Sequence, residues 1–325
     1  MPLGHRKLSA WYHQLAQQLD AGVSFPEALR LSHGLGVSAA DLNKLSVVVD
    51  AGGTIDDTFS AAAPWMPLAD RLVLAASAST GQLPRTLRAL SSRHAQLGAA
   101  KLRILLACLY PAAILHFGLL LLPLVRMIDW EKGFIWSSTA YVRGLALTII
   151  PLWVVALAVW VMVRRQSPIT ARIASAMPFV AGYARAQALA DLAFALGIFL
   201  EAGVPIGRAW ATMGIISRSS KLKIASEAMA AVVARGAAPS SKMSEWRCFP
   251  SDFVALYRTG ESTGKVDENL LRLAAQYQEQ ANRALTLSTM FYPAVMFLVV
   301  AGAVGYFVIT LYSGYLKMLT DLADS

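Results

Sequence analysis

The chain has 325 residues, of which 56% are hydrophobic and 15% are charged, and its mean hydropathy is +0.50. Soluble globular domains are less apolar and more highly charged, so this composition excludes an ordinary soluble protein. The formal net charge of +9 requires no nucleic-acid partner, because attraction to an anionic membrane surface explains it.

The first segment, residues 1–103, has the pattern of a bundle of short helices. Apolar residues from Leu8 to Leu19 fall on one helical face, which ends at Gly22. The run Ser24-Phe25-Pro26-Glu27 has the spacing of a capping box and predicts the start of a second helix. We expect six helices in this segment, with later starts at Ser38, Thr54 and Pro67 and directly after Gly81.

Three long uncharged blocks interrupt the helical segments. Each is near or above the about 18 residues that cross the hydrocarbon core of a bilayer, and the first lies too far from the N-terminus to be a signal peptide. The predicted order is a first cytoplasmic helical domain (1–103), a transmembrane helix (104–128), a short external loop (129–144), a second transmembrane helix (145–163), a second cytoplasmic helical domain (164–290), a third transmembrane helix (291–312) and an external tail (313–325).

The distribution of basic residues predicts the orientation in the membrane. Residues 1–103 and 164–290 contain 10 and 15 Lys plus Arg, whereas residues 126–144, between the first two uncharged blocks, contain 3 and the tail 313–325 contains 1. Both long segments, and with them the N-terminus, are therefore expected in the cytoplasm, and the C-terminus outside. Aromatic residues crowd the short loop, as they do at a membrane interface: Trp130, Phe134, Trp136 and Tyr141.

The chain contains two copies of one pattern, about 182 residues apart. LAQQLDAGVSFPEAL at Leu15 to Leu29 matches LGIFLEAGVPIGRAW at Leu196 to Trp210, with Asp20 and Glu201 at equivalent positions. This match and two others, which follow it in the same order in both halves of the chain, indicate a duplication. The fold class predicted is therefore all-α, an integral membrane protein with three transmembrane helices and two duplicated cytoplasmic six-helix bundle domains. The other matches join Pro67–Gly81 to Pro250–Gly264, and Tyr110-Pro111-Ala112 to Tyr292-Pro293-Ala294.

The run GESTGKV, Gly260 to Val266, is close to a phosphate-binding loop but lacks its spacing. A Walker loop has four residues between its glycines and a Ser or Thr after the lysine, whereas this run has three residues there and Val266 after Lys265. The first repeat keeps Ser79-Thr80-Gly81 but has Gln82 instead of lysine. We therefore predict a turn closed by left-handed glycines. The glycines assigned to structural turns are Gly22, Gly81, Gly203, Gly260 and Gly264.

Two local motifs resemble the inner-membrane platform proteins of type II secretion and type IV pilus systems, the GspF/PilC-like family. Leu196 to Pro205 fits the family's Leu-x-x-x-Leu-x-x-Gly-Val/Ile-Pro run, which recurs at Leu15 to Ser24 with serine in place of proline. Gly260 to Val266 fits its Gly-Glu-x-x-Gly-x-Leu turn, with valine in place of leucine. The resemblance covers about residues 8 to 312, and the clipped N-terminus is similar to the type IVb pilus branch.

This resemblance implies a non-enzymatic platform without cofactors in the bacterial inner membrane, with its C-terminus in the periplasm. The implied partners are a hexameric assembly or secretion ATPase, a pilin or pseudopilin, other inner-membrane assembly proteins and further copies of the chain. Such a platform couples the ATPase to extraction of pilin subunits and to filament growth. The alternative is a small oligomeric transporter or channel, against which stand the missing inverted repeat and the scarcity of ionisable residues, His116 apart, in the predicted spans.

Three acidic residues at the corners of the repeats are candidates for partner binding: Glu261, Glu201 and Asp20. Glu261 stands in a turn that both repeats share, yet only the second repeat has an acid there. Two interpretations stay open for this residue, a cap of the local turn and a contact with a partner.

In the predicted spans, His116 is expected to be a neutral imidazole bonded to a neighbouring helix, and a functional role for this polar residue is the alternative. Pro111 and Pro293 are expected to bend their helices or free a carbonyl group, as a kink without a further role, with a gating hinge as the alternative. Ala301-x-x-x-Gly305 permits a close approach of helices, either within the chain or between subunits.

No catalytic pattern is present in the sequence. It contains neither a G-x-S-x-G elbow nor an H-E-x-x-H motif. Cys108 lies in a predicted span and Cys248 in a cytoplasmic segment, so we expect no disulfide. We also expect no metal site, because no carboxylate has metal-ligand spacing from any of the histidines, which are His5, His13, His33, His94 and His116.

Overall fold

The structure is a computed structural model, and it describes residues 3–32, 37–62, 65–125, 127–129, 133–164, 177, 179–217 and 219–323. These residues are helical apart from turns and one antiparallel pair of two-residue strands. The first repeat contains α1 (His5–Asp20), α2 (Phe25–Leu31), α3 (Ala39–Asp50), α4 (Ile55–Ala61), α5 (Leu68–Ala78) and α6 (Leu83–Val125).

The strands and the second repeat follow in the chain. Strand β1 pairs with β2 through Ile128 opposite Phe134 and Asp129 opposite Gly133. The second repeat, like the first, has six helices within the described residues. The remaining elements are β1 (Ile128–Asp129), β2 (Gly133–Phe134), α7 (Ser138–Arg164), α8 (Val180–Glu201), α9 (Ile206–Ile216), α10 (Ser220–Ala234), α11 (Ser240–Met243), α12 (Ser251–Thr263) and α13 (Val266–Ala323).

Polar caps explain two of the helix starts in the first repeat. The Ser38 hydroxyl accepts a hydrogen bond from the Asp41 N–H at 3.1 Å. Thr54 and Asp57 form a reciprocal capping box, with bonds of 3.1 and 2.9 Å. Ser24 was predicted to form a third box, but its side chain makes no capping hydrogen bond. Helix α2 still begins after it, because Pro26 in the first turn presets a helical φ.

Glycines with left-handed backbone close helices at equivalent places in the two repeats. Their φ values lie between +71° and +83°, a conformation that residues with a Cβ resist. The repeats therefore share their corners as well as their sequence pattern. The three matched pairs are Gly22 with Gly203, Gly52 with Gly236, and Gly81 with Gly264.

The chain divides into two compact units, of which the first comprises residues 1–101 and 182–283. This unit contains the short helices of both repeats, and each repeat has a fully buried tryptophan at its centre. Trp11 packs edge-to-face on Trp65 with ring centroids 5.3 Å apart. Trp210 donates a hydrogen bond from Nε1 to the Tyr257 hydroxyl at 3.0 Å. These buried aromatic groups supply a large part of the apolar area that holds each bundle together.

The second unit comprises residues 102–181 and 284–325 and shows the opposite distribution of apolar side chains. Large hydrophobic residues point outward, including Leu109 and Leu147, which are 65% and 68% exposed. Helices α6 and α7 approach closely where Gly144 faces Pro123, since a Cβ on Gly144 would lie 3.2 Å from the Pro123 Cβ. An exposed apolar surface of this kind suits a lipid environment.

Three helices among the described residues are long and apolar enough to cross a membrane: Leu83–Leu124, Ser138–Ala158 and Val180–Glu201. The first two overlap the predicted spans at 104–128 and 145–163. The most apolar window of Val180–Glu201 is 56% buried, against 6% and 0% in the other two, so its apolar residues form the core of the second repeat. The predicted span at 291–312 lies within α13, where Leu298 and Ile309 are 68% and 69% exposed, and it stays a prediction.

Candidate partner-binding surfaces

Asp20 lies at the last position of α1, directly before the corner closed by Gly22. The Val23 N–H bonds the Gln18 carbonyl at 3.0 Å, so the chain reverses tightly here. The Asp20 carboxylate forms an ion pair with Arg88 of α6, and its side chain is 38% exposed. Asp20 therefore remains partly accessible while it holds α1 against α6.

Glu201 occupies the equivalent place in the second repeat, but its surroundings differ. Its side chain is only 12% exposed, and its Oε1 lies 2.5 Å from Nη2 of Arg85 in the first repeat. Its carbonyl oxygen accepts a hydrogen bond from Nε2 of Gln82 at 3.1 Å. Glu201 thus connects the two repeats, and little of its carboxylate is available to a partner in this arrangement.

Further contacts between α6 and α8 continue this connection, which we call the inter-repeat seam. Arg93 of α6 forms an ion pair with Asp191 of α8. The same guanidinium lies over the ring of Phe194, 4.6 Å from its centroid, where a cation–π attraction adds to the ion pair. Because Arg93 is largely buried, these contacts are screened less than an exposed pair would be.

The second corner of each repeat is the turn closed by Gly81 or Gly264. Gly264 has φ +71°, and the Lys265 N–H bonds the Gly260 carbonyl at 2.9 Å, so the run after α12 is a helix-ending turn. Lys265 is 69% exposed and lies 3.6 Å from a Glu268 carboxylate oxygen in the next helix. The lysine therefore serves a surface ion pair of the first turn of α13.

Glu261 is half-buried within α12. Its Oε1 accepts a hydrogen bond from the Ser240 N–H at 3.4 Å, and its Oε2 is buried with no hydrogen-bond partner among the described residues. Burial raises the pKa of the adjacent Tyr257 hydroxyl, and the negative charge of Glu261 raises it further. The carboxylate thus reaches the start of α11 and not the turn that follows α12, and its second oxygen is enclosed by the protein.

Gly260 differs from the other glycines assigned to turns, because it lies inside α12. A Cβ on Gly260 would stand 2.8 Å from the Val266 Cα, closer than real side chains approach a backbone. Asn269 fills the adjacent space and donates a hydrogen bond to the Leu256 carbonyl at 3.2 Å. Gly260 is needed for close packing of α12 on α13, whereas the turn itself depends on Gly264.

His116 makes a hydrogen bond within its own helix instead of the predicted bond to a neighbouring helix. Its Nδ1 lies 2.7 Å from the Ala112 carbonyl oxygen one turn earlier. The contact with the neighbouring helix is aromatic, since the Trp153 ring of α7 meets the imidazole edge-to-face at 5.8 Å. The carbonyl of the same helix is the nearest acceptor, so the imidazole needs no polar group from α7.

The remaining membrane residues fall on α6 and α13. Pro111 and Pro293 lie inside these helices, where each lacks the N–H that would bond the carbonyl four residues earlier. Ala301 and Gly305 are exposed, and a Cβ on Gly305 would meet no atom within 4 Å. Among the described residues, this small-residue motif therefore makes no close packing contact within the chain.

A buried polar cluster in the first repeat was not predicted from the sequence. His94 Nε2 lies 2.7 Å from Asp70 Oδ2, which also accepts a hydrogen bond from the Tyr12 hydroxyl at 2.8 Å. The two Nδ1 atoms of His94 and His5 are 2.8 Å apart, so one ring donates to the other. Burial, followed by the charge and hydrogen bond of Asp70, raises the pKa of Tyr12 well above its usual value.

The second repeat has a counterpart of this cluster without histidine. The Tyr277 hydroxyl of α13 lies 2.9 Å from both carboxylate oxygens of Asp252 near the start of α12. In both repeats, an acid at the start of the fifth helix thus holds the sixth helix through an aromatic side chain.

Within the described part of the chain, no group of three His, Cys, Asp or Glu side chains is arranged to hold a metal ion. His33 and Trp130 lie outside that part.

Comparison with known proteins finds relatives along most of the chain. The profile of the family described as "Type II secretion system (T2SS), protein F" matches residues 11–128 and 192–314. The "Type 4 fimbrial assembly protein PilC" of Pseudomonas putida is 26% identical over 324 residues, which cover 92% of this chain and 80% of that protein. The exposed apolar helices and these matches together show a membrane protein.

Two further relatives are each called "Type IV pilus assembly protein PilC". The protein of Myxococcus xanthus is 27% identical over 139 residues, which cover 42% of this chain and 33% of that protein. The protein of Thermus thermophilus is 31% identical over 145 residues, which cover 43% of this chain and 36% of that protein.

Proposed function

Because the chain belongs to the family of the type II secretion system protein F, we propose that it acts as an inner-membrane platform for assembly of a type IV pilus or a type II secretion pseudopilus. The observation that carries this proposal is the family match over both repeats and the apolar segments next to them, residues 11–128 and 192–314. The pilus assembly names of its relatives favour the pilus over the secretion system. The family is non-enzymatic, so the platform acts through contacts with other proteins.

We propose that the two helical bundles face the cytoplasm and engage a hexameric assembly ATPase. The basic residues of the segments 1–103 and 164–290 support this orientation, with the C-terminus in the periplasm. The ion pairs of the inter-repeat seam support a mechanical role, because they join the two bundles. A movement of one bundle would therefore be transmitted to the other. The membrane helices would then guide pilin subunits from the bilayer into the filament.

Asp20 and Glu261 are the corner acids best suited to a contact with the ATPase. The Asp20 side chain is 38% exposed, whereas Glu261 is half-buried with its Oε2 enclosed by the protein, so Asp20 is the more accessible of the two. Glu201 is a weaker candidate, because Arg85 covers its carboxylate. A positive charge at a contact position repels a basic partner surface and abolishes binding.

Complementation of a deletion strain tests the proposal. The wild-type chain should restore filaments or secretion. At equal amounts of folded protein, Asp20→Lys or Glu261→Lys should abolish them, and less ATPase should co-purify with either variant. Glu279→Lys is the matched control, because Glu279 is 64% exposed and, among the described residues, its one ion pair is with Arg283 one turn away on α13. Recovery of a solute flux without filament assembly would instead identify a transporter. If Glu261 is only a cap, Glu261→Lys lowers the free energy of unfolding by about 1 kcal/mol, and the amount of folded protein falls with it. Assembly is then normal when wild type and variant are compared at equal protein levels.

A further inference from the structure

The outer helices of the two repeats carry opposite net charge although they share one fold. Residues 25–61, which form α2 to α4, contain five acidic and two basic residues, a formal charge of −3. Residues 206–249, which contain the equivalent helices α9 to α11, have two acidic and seven basic residues, a formal charge of +5. The duplication has thus produced two similar surfaces of opposite sign on one chain.

One pair of equivalent positions shows this reversal directly. Glu27 in the first turn of α2 corresponds to Arg208 in the first turn of α9, because the matched runs align Leu15 with Leu196. Both side chains are exposed, and neither has an ion-pair partner in the described part of the chain. The same fold position therefore offers an anion in one repeat and a cation in the other.

The described residues do not neutralise the excess charge on either surface. On the first, Asp50 and Asp41 are paired with Arg30 and Lys44, whereas Asp56 has no such partner among the described residues. On the second, five exposed cations have no carboxylate within ion-pair distance in the described residues: Arg208, Lys221, Lys223, Arg235 and Arg247. Like charges crowded on one surface repel each other, and a surface of opposite sign relieves that repulsion.

Each charged surface also exposes a pair of large apolar side chains. Leu31 and Val47, on α2 and α3, are 54% and 64% exposed. Ile215 and Ile224, on α9 and α10, are 68% and 56% exposed. Protein–protein interfaces combine exposed apolar residues with polar and charged ones.

The packing of α9 on α10 brings the two isoleucines to the same end of this helical pair. Gly207 lies against Val233, and Gly214 lies against Glu227, so the helices run antiparallel. Ile215 follows Gly214, and Ile224 lies about one turn before Glu227. An apolar area therefore occupies one end of the pair.

We propose that the acidic face (Glu27, Leu31, Val47 and Asp56) of one copy of this chain docks on the basic face (Arg208, Ile215, Lys221, Lys223, Ile224 and Arg235) of a second copy. The argument for a second copy is that each face finds its complement, in charge and in apolar content, on the same chain. A two-fold dimer would contain two such contacts, with the acidic face of each copy on the basic face of the other.

Charge reversal on the full-length protein in nanodiscs or detergent tests the proposal. Glu27→Arg with Asp56→Arg makes both faces basic, and Arg208→Glu with Lys223→Glu makes both faces acidic. Each variant alone should lose self-association, and an equimolar mixture of the two should recover it, because the reversed faces are again complementary. Wild-type self-association should weaken by about tenfold or more when NaCl rises from about 50 mM to about 500 mM.

Matched controls carry the same change in net charge on α13. Glu268→Arg with Glu279→Arg, and Arg272→Glu with Arg283→Glu, alter exposed residues that pair along one helix and should leave self-association unchanged. Light scattering gives the mass of each sample, and circular dichroism establishes that the variants are folded.

Several outcomes would overturn the proposal. These are a wild-type chain that stays monomeric, variants that associate like wild type, or lost association that mixing does not restore. Protection of α9 and α10 from hydrogen exchange that requires anionic lipid and no second copy would instead assign the basic face to lipid headgroups. Protection that requires only a purified ATPase would assign it to that protein. The test does not depend on the pilus role, because self-association is measured on the chain alone.

Discussion

Glu201 and Arg85 form an ion pair that joins the two repeats across 2.5 Å, although they lie in different copies of the duplicated pattern. The Glu201 side chain is 12% exposed and the Arg85 side chain 64%, so water screens the pair from one side only. We expect Glu201→Ala to lower the free energy of unfolding by about 1 kcal/mol, the upper end for a partly exposed pair. A double-mutant cycle with Arg85→Ala, measured by denaturant unfolding, isolates the pair's contribution.

The control for this pair is Lys242 with Glu245, which lie 2.7 Å apart but are 56% and 59% exposed. Its coupling should be close to zero, because full hydration removes most of the attraction. Equal coupling in the two cycles would contradict a structural role for the inter-repeat seam.

The turn after α12 predicts different results for two neighbouring substitutions. Gly264 has φ +71°, which a β-branched residue resists strongly, so Gly264→Val should lower the free energy of unfolding by about 1–2 kcal/mol. Lys265 is 69% exposed, and its ion pair with Glu268 is long at 3.6 Å, so Lys265→Ala should change stability by less than about 0.5 kcal/mol. Thermal unfolding of both variants, followed by circular dichroism, provides the measurement.

The same two variants test the interpretation of GESTGKV as a turn. Wild type and Lys265→Ala should both show no measurable ATP binding by calorimetry. ATP binding that is lost in Lys265→Ala would restore the nucleotide interpretation of this run.

The raised pKa of the Tyr12 hydroxyl predicts that the protein loses stability in alkaline solution. An unfolded tyrosine loses its proton near pH 10, whereas burial beside Asp70 keeps folded Tyr12 protonated to a higher pH. Above about pH 10 the folded state therefore binds more protons than the unfolded state, and stability falls as pH rises, whereas below it the contribution is fully present. Tyr12→Phe should reduce this fall by up to about 1.4 kcal/mol per pH unit.

Denaturant unfolding of wild type and Tyr12→Phe at several values from about pH 8 to about pH 11 measures the difference in slope. The other tyrosines with raised pKa values, Tyr183, Tyr257 and Tyr277, are present in both proteins and cancel in the comparison. Parallel pH profiles would show that Tyr12 ionises as readily in the folded protein as in the unfolded chain.

Topology gives a prediction that needs no structural detail. Basic residues are concentrated in the segments 1–103 and 164–290, so a reporter fused after Gly236 should report a cytoplasmic location. Reporters fused after Lys132 and after Ser325 should report an external one. An internal C-terminus would rule out the three-span arrangement, since an odd number of spans places the two ends of the chain on opposite sides.

The motifs that identify the family could be read from the sequence because they depend on local properties. Helical periodicity, the conformation available to glycine and the length of uncharged blocks all act over fewer than about 25 residues. The six helices of each repeat and the corner glycines Gly22, Gly81, Gly203 and Gly264 follow from such properties. Such local properties do not explain Gly260, because its close contact with Val266 depends on how α12 packs on α13.

Length and composition alone were ambiguous for Val180–Glu201. This helix is apolar enough to cross a membrane, yet more than half of its most apolar window is buried within the protein. A helix that is apolar on all sides suits either lipid or a protein core, and only its neighbours distinguish the two.

The sequence by itself determined that this chain is a duplicated, helical membrane protein, since helix formation, chain reversal at glycine and transfer to lipid are decided by neighbouring residues. Only the tertiary structure decided which polar groups meet. Gln82 and Glu201 are 119 positions apart and His5 and His94 are 89 apart, so no local pattern links them. Asp20 and Glu201 are equivalent in the sequence, but they differ in exposure because packing of the two repeats buries one and leaves the other at the surface.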